Sequence, residues 1–554
     1  MTVVTKREKP PVKKEQKEVV SKPEDKQNDQ GFDYDYVIVG SGFGGSVSAY
    51  RLSQKGYRVL VIEKGKWHTE QSFAKSTWNF KRWLWEPKAG FDGIMKISLF
   101  RHVSVISGVG VGGGSLVYGA TLPTPKSSFF RSGSWGALES WEEKLKPFYD
   151  EALRMLGAVT NPKLTAADKL MQELAVDLGK EDAFEPSRVG VFFSDADKEG
   201  ELVPDPYFGG EGPSRRGCTH CASCMIGCPS NAKNSLDKNY LYLAQKLGAK
   251  VIAETEVMDV SPAGRADGKD GYLISCKSGG WRKSTSTIYS KGVIFSGGVL
   301  GTIPLLLKLK EEGSLPALSP YLGKDIRTNN ESLTAVTSLD KNANFAEGVT
   351  IGSIINTSDH SHLEPISTNG DSGAMKLMHM PRAYGGNAFT RIASMVIDFV
   401  RHPRENFDLI FSRGFGRRTI MLLFMQHLDS TLTFKRNKLG IMTSHTEEGQ
   451  EAPSASIAEA EDIADRVVRL MGGKATRAGS ESLLGIPSTA HILGGAVMGK
   501  DTHHGVIDKH NRVFNYENML VCDGSAISAN PGVNPSLSIT AVTEWAMSHI
   551  PDKK

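Results

Sequence analysis

The sequence is poor in the features of secreted, nucleic-acid-binding and membrane-spanning chains. It has only six cysteines in 554 residues, which excludes a small secreted domain held together by disulfides. Its 66 basic and 62 acidic residues nearly balance, so the charge does not point to nucleic acid as a partner. Two uncharged stretches, residues 103–125 and 292–307, are interrupted by glycine, and neither forms a span of about 20 apolar residues.

Residues 1–32 also lack an apolar run and carry a dense mixture of charges. Eight basic and six acidic side chains fall within residues 1–30, a composition typical of solvated, disordered chain. Because no hydrophobic signal core is present, the sequence predicts a cytoplasmic protein, soluble or at most peripheral to a membrane. The whole sequence is 39% hydrophobic, and the part after the tail is long enough for several globular domains of roughly 150 residues each.

A strand, a glycine-rich turn, a helix and a second strand follow the tail. Tyr34–Val39 is a short apolar run typical of a buried parallel strand. A helix over Ser46–Lys55 and a strand over Arg58–Ile62 are predicted next. This order predicts a βαβ unit of the kind that binds dinucleotides.

The turn of this unit carries the spacing G-x-G-x-x-G. Gly40 permits the tight turn, Gly42 lets the backbone approach a pyrophosphate, and Gly45 lets the helix pack on the strand. Glu63 ends the second strand, where a carboxylate can accept a hydrogen bond from a ribose hydroxyl. An ordinary glycine-rich turn is the alternative, but the strands, helix and acid all stand in the expected order.

A second glycine-dense loop lies at Ser107–Ser115. It is either a flexible linker or a backbone segment that lies close to a large flat ligand, and the valines within it favour the second interpretation. Further amphipathic helices and strands are predicted downstream, namely Trp141–Leu156, Ala166–Leu178, Thr255–Asp259 and Lys291–Ser296.

Five sequence blocks in a fixed order carry a family resemblance. They are GSGFGGS, GVGVGGGSLVYGATL, VIFSGGVLGT, AHILGGAVMG and VCDGSAISANPGVNPSLSITAVTEWA. With them the chain resembles the glucose–methanol–choline (GMC) family of FAD-dependent oxidoreductases, from about Asp33 to the C-terminus, and it looks most like the cholesterol-oxidase-like actinobacterial branch. The resemblance implies an α/β fold, with a Rossmann-like FAD-binding domain and a second, α+β substrate-binding domain.

The resemblance also implies a division of the chain. Residues 33–125, 216–305 and 485–554 would build the FAD-binding domain, residues 126–215 a helical cap segment, and residues 306–484 the substrate-binding domain. The residues implied to contact FAD are Gly40, Gly42, Gly45, Glu63, Gly110, Gly113, Gly114, Ser115, Val257, Gly297, Asp523, Gly524 and Pro535.

The last two blocks hold the candidate catalytic residues. His491 is the candidate base, because imidazole titrates near working pH, and Asn534 is the candidate partner that holds the substrate hydroxyl. Taken singly, a histidine is more often structural and an Asn-Pro pair more often a turn; the resemblance supports catalysis at both positions. It also implies that Glu364 shuttles a proton in a Δ5 to Δ4 isomerisation, with a solvated loop residue as the alternative and Glu331 as the second candidate.

Three functions are consistent with these residues. The first is oxidation of a sterol-like (3β-hydroxysteroid) or other bulky apolar alcohol, with O₂ or an external acceptor taking the electrons. The second is an alcohol dehydrogenase that passes electrons through an iron–sulfur cluster. The third is a flavin-bearing electron carrier or lipid-binding protein without turnover, which a base beside the flavin argues against.

One run of four cysteines in this sequence is absent from the secreted members of the cholesterol-oxidase-like branch. Cys218, Cys221, Cys224 and Cys228-Pro have the spacing of a bacterial iron–sulfur run. Four thiolates could instead form a zinc site, or the thiols could be free. The sequence leaves these three interpretations open.

Residues 399–418 interleave aromatic and aliphatic residues with arginine. They form either a basic, aromatic surface for peripheral contact with an anionic membrane or a lid over the substrate cavity, with a buried strand at Thr419–Met425 behind it. Both interpretations favour a bulky apolar substrate over a sugar.

Overall fold

The structure, a computed structural model, describes residues 31–279, 284–411, 413–447, 449 and 452–554. Residues 1–30 of the predicted charged tail therefore lie outside the described residues. Within the described part of the chain, no helix is long and apolar enough to cross a membrane.

The secondary structure alternates short strands with helices of one to four turns. The α-helices of the described residues are α1 (Phe43–Gln54), α2 (Phe80–Trp83), α3 (Trp141–Met155), α4 (Ala166–Asp177), α5 (Tyr240–Lys246), α6 (Val299–Glu311), α7 (Ala388–Arg401), α8 (Pro403–Phe411), α9 (Phe415–Arg418), α10 (Ala458–Met471) and α11 (Ser536–Ser548). The strands are β1 (Tyr34–Val39), β2 (Val59–Ile62), β3 (Trp85–Glu86), β4 (Phe91–Asp92), β5 (Met95–Leu99), β6 (Ser104–Gly108), β7 (Val159–Thr160), β8 (Phe184–Pro186), β9 (Arg188–Val189), β10 (Leu202–Val203), β11 (Arg215–Arg216), β12 (Lys250–Ile252), β13 (Thr255–Pro262), β14 (Tyr272–Ser278), β15 (Thr285–Phe295), β16 (Ile326–Arg327), β17 (Ser332–Ser338), β18 (Ser353–Ser358), β19 (Ser361–Ile366), β20 (His379–Pro381), β21 (Thr419–Gln426), β22 (Thr431–Arg436), β23 (Met442–His445), β24 (Gly473–Ala478), β25 (Ser488–Thr489) and β26 (Met519–Val521).

The first large sheet brings together strands from distant parts of the chain. Its order is β12-β2-β1-β15-β14-β13, and β26 also pairs with β15. The pairs among β12, β2, β1, β15 and β26 are parallel, whereas β13 and β14 add an antiparallel edge. Helix α1 packs against α5 and α11, and α11 packs against α3. The α/β, Rossmann-like prediction is confirmed by this sheet.

The second large sheet is antiparallel throughout, in the order β20-β24-β17-β21-β19-β18-β8. Helices α4 and α10 pack against each other and against this sheet. Their apolar side chains form a separate buried cluster with those of β17, β19 and β21. A second layer of mixed α and β structure therefore faces the dinucleotide-binding sheet.

Most predicted elements are present, with shifts at their ends that have local causes. Helix α1 begins at Phe43, before the predicted Ser46, because Gly42 already serves as its N-cap in an extended conformation. Strand β15 begins well before the predicted Lys291, since its first residues pair with β14 while their side chains are exposed. An exposed strand half has no apolar run that would signal it.

Candidate active site

Four loops at the carboxyl ends of parallel strands form one wall of a deep cavity. Gly40 follows β1, Glu63 follows β2, Gly297 lies just beyond β15, and Asp523 lies just beyond β26. The cavity has a volume of about 640 Å³, within the usual size range of small-molecule and cofactor sites. This is the edge at which open α/β sheets bind their ligands.

In the first glycine turn, no side chain covers the backbone that faces this cavity. Gly40 has φ +102°, and a Cβ there would lie 2.4 Å from the carbonyl oxygen of Ser296. At Gly45 a Cβ would lie 2.2 Å from the carbonyl oxygen of Gly40, so this residue lies within the helix–strand contact. The position of Gly42 is open, since the nearest atom to its Cβ is 3.9 Å away. A ligand can therefore approach the backbone at Gly42.

Glu63 is buried and tied to the same turn. Its Oε2 accepts hydrogen bonds from the backbone amide and the hydroxyl of Ser41, at 3.1 and 2.7 Å. Its Oε1 accepts from the amide of Gly65 at 2.8 Å. The carboxylate thus stands fixed in the cavity wall, and its remaining lone pair can accept from a ligand hydroxyl.

The second glycine loop meets the first one. Gly113 and Gly114 line the cavity, and a Cβ at Gly113 would lie 2.7 Å from the Cα of Gly42. Ser115 lies behind the wall, where its hydroxyl donates to the carbonyl of Gly112 at 2.7 Å. Gly110 also lies behind the lining residues, in a left-handed conformation with φ +136°.

Three helices begin at the cavity without a side-chain cap. Their N-cap residues are Gly42 for α1, Gly298 for α6 and Pro535 for α11, and all three line the cavity together with Val257 and Gly524. Free amides and helix dipoles at such positions stabilise anionic groups. A bare glycine cradle with uncapped helix ends fits FAD, which carries a pyrophosphate and an electron-accepting ring.

Asp523 is the buried carboxylate at the end of β26. It accepts hydrogen bonds from the Thr302 hydroxyl at 2.5 Å and from the Ser525 amide at 2.7 Å. Burial raises the pKa of Asp523 against the opposing effect of these bonds. Because it also lines the cavity, it can accept a hydrogen bond from a bound cofactor.

His491 also lines the cavity, and its imidazole contacts the carboxylate of Glu331. Its Nδ1 is in short contact with Oε1 of Glu331, while Oε2 of Glu331 accepts from the backbone amide of Ala490 at 2.9 Å. Burial opposes the charged imidazolium, but the carboxylates of Glu331 and Glu364 outweigh it and raise the pKa of His491. With Nδ1 engaged, Nε2 is the nitrogen left for a substrate.

Asn534 lies on the cavity wall with Glu364 behind it. Its Nδ2 donates to Oε2 of Glu364 at 3.1 Å, and its Oδ1 is buried without a hydrogen-bond partner among the described residues. Glu364 is fully buried, is not one of the residues that line the cavity, and contacts Nε2 of His362 at 3.2 Å. The unpartnered Oδ1 is an acceptor available to a hydroxyl group.

Apart from these polar residues, one part of the cavity wall is apolar. It is formed by Met225, Leu333, Ile351, Ile366 and Leu423. Leu333, Ile366 and Leu423 come from β17, β19 and β21, so the antiparallel sheet supplies most of this surface. Such a wall accommodates a bulky apolar molecule and excludes water.

The structure gives no support to a metal site at the cysteine run. Cys218 and Cys224 are buried, and Cys221 and Cys228 are half-buried. In the part of the chain that the structure describes, no group of three or more His, Cys, Asp or Glu residues could hold a metal ion. Two of the thiols accept hydrogen bonds from backbone amides: the amide of His220 donates to Sγ of Cys218 at 3.4 Å, and that of Ala232 to Sγ of Cys228 at 3.3 Å.

Burial raises the pKa of the Cys218 and Cys224 thiols. The segment that carries the cysteines is anchored by the buried ammonium of Lys233, which donates to the carbonyls of Leu116 and Cys224 at 2.8 and 2.6 Å. The iron–sulfur and zinc interpretations are therefore unsupported.

Sheet, cradle and base together define an FAD-dependent oxidoreductase, and the comparisons agree. The profile of the "FAD dependent oxidoreductase" family matches residues 35–323, and that of the "GMC oxidoreductase" family matches residues 447–543. Proteins named cholesterol oxidase from Acinetobacter baumannii and Mycobacterium tuberculosis are each 42% identical to this chain, cover 94% of it, and are themselves covered to 95% and 92%. The chain belongs to the GMC family of FAD-dependent oxidoreductases.

A solved structure supports the same fold. Pyridoxine 4-oxidase from Mesorbium loti superposes with a TM-score of 0.56 at 14% identity, covering 93% of this chain and 98% of its own. The resemblance predicted from the five sequence blocks is confirmed by the relatives named cholesterol oxidase, of which the one from Mycobacterium tuberculosis is actinobacterial.

Two residues of the site make contacts that the sequence did not predict. Glu331 was the second candidate for isomerisation, whereas in the structure it contacts His491. His362 was not singled out, although its position two residues before Glu364 places both side chains on one face of β19. That alternation was the available signal.

Proposed function

We propose that this enzyme oxidises the hydroxyl of a sterol-like, 3β-hydroxysteroid alcohol to the ketone and passes the electrons to O₂. The relatives named cholesterol oxidase, at 42% identity over most of both chains, support this substrate and acceptor. The apolar wall built by β17, β19 and β21 supports it independently, because it suits a flat hydrocarbon better than a sugar.

The observation that carries the proposal is the pairing of His491 and Asn534 at the polar end of an apolar cavity. One has a free ring nitrogen and the other an unpartnered buried oxygen. A substrate hydroxyl can donate its proton to Nε2 of His491 while its oxygen accepts the second N–H of Asn534 Nδ2, whose first N–H donates to Glu364. The hydrocarbon then lies against Leu333 and Leu423.

In this arrangement Nε2 of His491 accepts the hydroxyl proton. Glu331 fixes the ring through Nδ1 and stabilises the imidazolium that forms. Asn534 orients the oxygen and gives up no proton. When bound, FAD supplies the acceptor for the hydride that leaves the alcohol carbon.

We further propose that Glu364 performs a Δ5 to Δ4 isomerisation of the ketone. Its carboxylate lies next to the substrate-holding Asn534, at 3.1 Å from Nδ2, and is fully buried. A base so placed suits proton abstraction alpha to a carbonyl. Asn534 stands between Glu364 and the cavity, so the amide must turn aside for the carboxylate to reach a carbon of the substrate.

The substrate class also bears on where the enzyme meets its substrate. A sterol-like alcohol partitions into lipid rather than water. We therefore propose that the protein makes peripheral contact with a membrane during substrate uptake.

The test is product analysis with a 3β-hydroxy-5-ene sterol in air. We expect the conjugated ketone and one hydrogen peroxide per ketone formed. Ketone without peroxide, dependent on an added dye, would replace O₂ by an external acceptor. Absence of ketone with any sterol, from FAD-loaded protein, would reject the substrate assignment.

A further inference from the structure

Helix α7 lies on the surface with its apolar side uncovered. None of its residues is buried, and Phe389, Val396 and Val400 are 82%, 56% and 72% exposed. The following helix α8 adds Phe407 and Phe411, at 60% and 64% exposure. We call residues 388–411 the helical pair. Exposed apolar side chains at this density mark an interaction surface.

The helical pair does not close the main cavity. None of its residues lines that cavity among the residues described, so the lid interpretation of this segment does not match the structure. Asn387 caps the start of α7 by accepting from the amide of Thr390 at 2.9 Å.

The charges of the helical pair are sorted by sign. Its acidic residues face the body, where Asp398 and Glu405 contact Lys474 at 3.0 and 3.6 Å and Asp408 pairs with Arg418. Arg401 and Arg404, in contrast, are exposed, and neither has an ion pair in the described part of the chain. Arg413 follows α8 and is likewise exposed. The outward charge of this surface is therefore positive.

The chain on either side of the helical pair packs into the apolar cluster behind the cavity wall. Ile366 and Leu423 line the cavity and belong to the same buried apolar cluster as Met375 and Phe415. Met375 precedes the helical pair in the chain and Phe415 follows it.

We propose that the helical pair is a docking surface for an anionic phospholipid bilayer. Its aromatic and aliphatic side chains would enter the interface, and Arg401, Arg404 and Arg413 would lie at the level of the headgroups. The inference rests on the proposed function in one respect, since a lipid-soluble substrate gives the enzyme a reason to be there. Binding to lipid itself requires no turnover.

A second copy of this chain fits the surface less well. A symmetric dimer through the helical pair would bring equivalent exposed arginines toward one another. Anionic lipid neutralises the same arginines while covering the same apolar side chains. Charge complementarity therefore favours the bilayer.

The experiment is co-sedimentation of the full-length holoenzyme with vesicles. One set contains phosphatidylcholine only, and the other contains phosphatidylcholine with phosphatidylglycerol. We expect stronger binding to the second set, weakened by salt. Phe389→Gln with Val400→Gln should lower the partition coefficient at least tenfold on both sets. Arg401→Gln, Arg404→Gln and Arg413→Gln should each reduce binding to anionic vesicles by up to about fivefold.

The control removes two exposed apolar side chains elsewhere. Leu202 and Leu247 are 57% and 51% exposed on other elements, and Leu202→Gln with Leu247→Gln should leave vesicle binding unchanged. Circular dichroism and bound flavin, measured for every variant, separate lost binding from lost folding.

Two results would overturn the proposal. The first is a failure of the vesicle test: either the protein does not bind vesicles, or the helical-pair variants and the control variant change vesicle binding to the same extent. The second is a concentration-dependent dimer that dissociates on Phe389→Gln with Val400→Gln, which would assign the surface to a second copy. Oxidation of detergent-dispersed sterol, measured in parallel, tests the proposed function separately because it needs no bilayer.

Discussion

Glu331 contacts both the Nδ1 atom of His491 and the backbone amide of Ala490, through its two carboxylate oxygens. This bidentate contact fixes the imidazole ring, its outward nitrogen and the backbone that carries it. The two residues are 160 positions apart in the chain, and they meet because the start of β17 lies beside the segment that follows β25. The base of this site is therefore a residue pair.

The first prediction concerns the pH dependence of that pair. His491 must be neutral to accept a proton, so activity falls as pH decreases through its pKa, which Glu331 raises against the effect of burial. Glu331→Gln removes the negative charge, lowers the pKa of His491, and should move the acidic limb of the kcat/KM profile to lower pH. Glu347→Gln, at an exposed position, is the control. An unmoved acidic limb in Glu331→Gln would show that Glu331 does not act through His491.

The second prediction concerns the base itself. His491→Ala should lower turnover on the order of 10²–10⁴-fold while FAD stays bound, because it removes only the positioned proton acceptor. Asn534→Ala should also slow flavin reduction. His503→Ala, on the exposed surface, should leave both unchanged. Reduction of the flavin at the wild-type rate in both active-site variants would show that the site is misassigned.

The third prediction separates oxidation from isomerisation. Glu364→Gln keeps the shape of the side chain and a hydrogen-bonding group beside Asn534 but removes the base. We expect this variant still to reduce its flavin with a 3β-hydroxy-5-ene sterol, yet to release the unconjugated ketone. Chromatography after a single turnover distinguishes the two products. Conjugated ketone at the wild-type fraction would clear Glu364 of this role.

The fourth prediction tests the fit of the cofactor cradle. Gly113→Ala places a Cβ 2.7 Å from the Cα of Gly42, which forces the two glycine loops apart. We expect FAD affinity to fall at least tenfold, which corresponds to about 1.4 kcal/mol. Gly209→Ala is the matched control, because Gly209 also has positive φ but a Cβ there has no neighbour within 4 Å. Equal FAD affinity of the two variants, measured by flavin absorbance, would contradict the cradle.

The sequence predicted the dinucleotide-binding half well because its signals are local. Strand β1 coincides with the predicted Tyr34–Val39, and the glycines and Glu63 stand within one continuous βαβ unit. The roles of these residues follow from their order and spacing within that unit, which are visible in the sequence. A single sequence is sufficient for inferences of this kind.

The parts that sequence could not predict depend on distant contacts. Nothing near Glu331 in the sequence indicates that it contacts His491, which lies 160 positions further along the chain. The exposure of helix α7 is a further feature that the sequence could not predict. An amphipathic pattern normally indicates an apolar face that is turned to the core, whereas in α7 the apolar side is exposed.

Anaerobic mixing of the FAD-loaded enzyme with a 3β-hydroxy-5-ene sterol tests the central claim most directly. The account predicts that the oxidised flavin absorbance bleaches in a single turnover with one ketone formed per flavin, and that His491→Ala slows this bleaching on the order of 10²–10⁴-fold. A flavin that remains oxidised with every sterol tested, in protein shown to hold FAD, would contradict it.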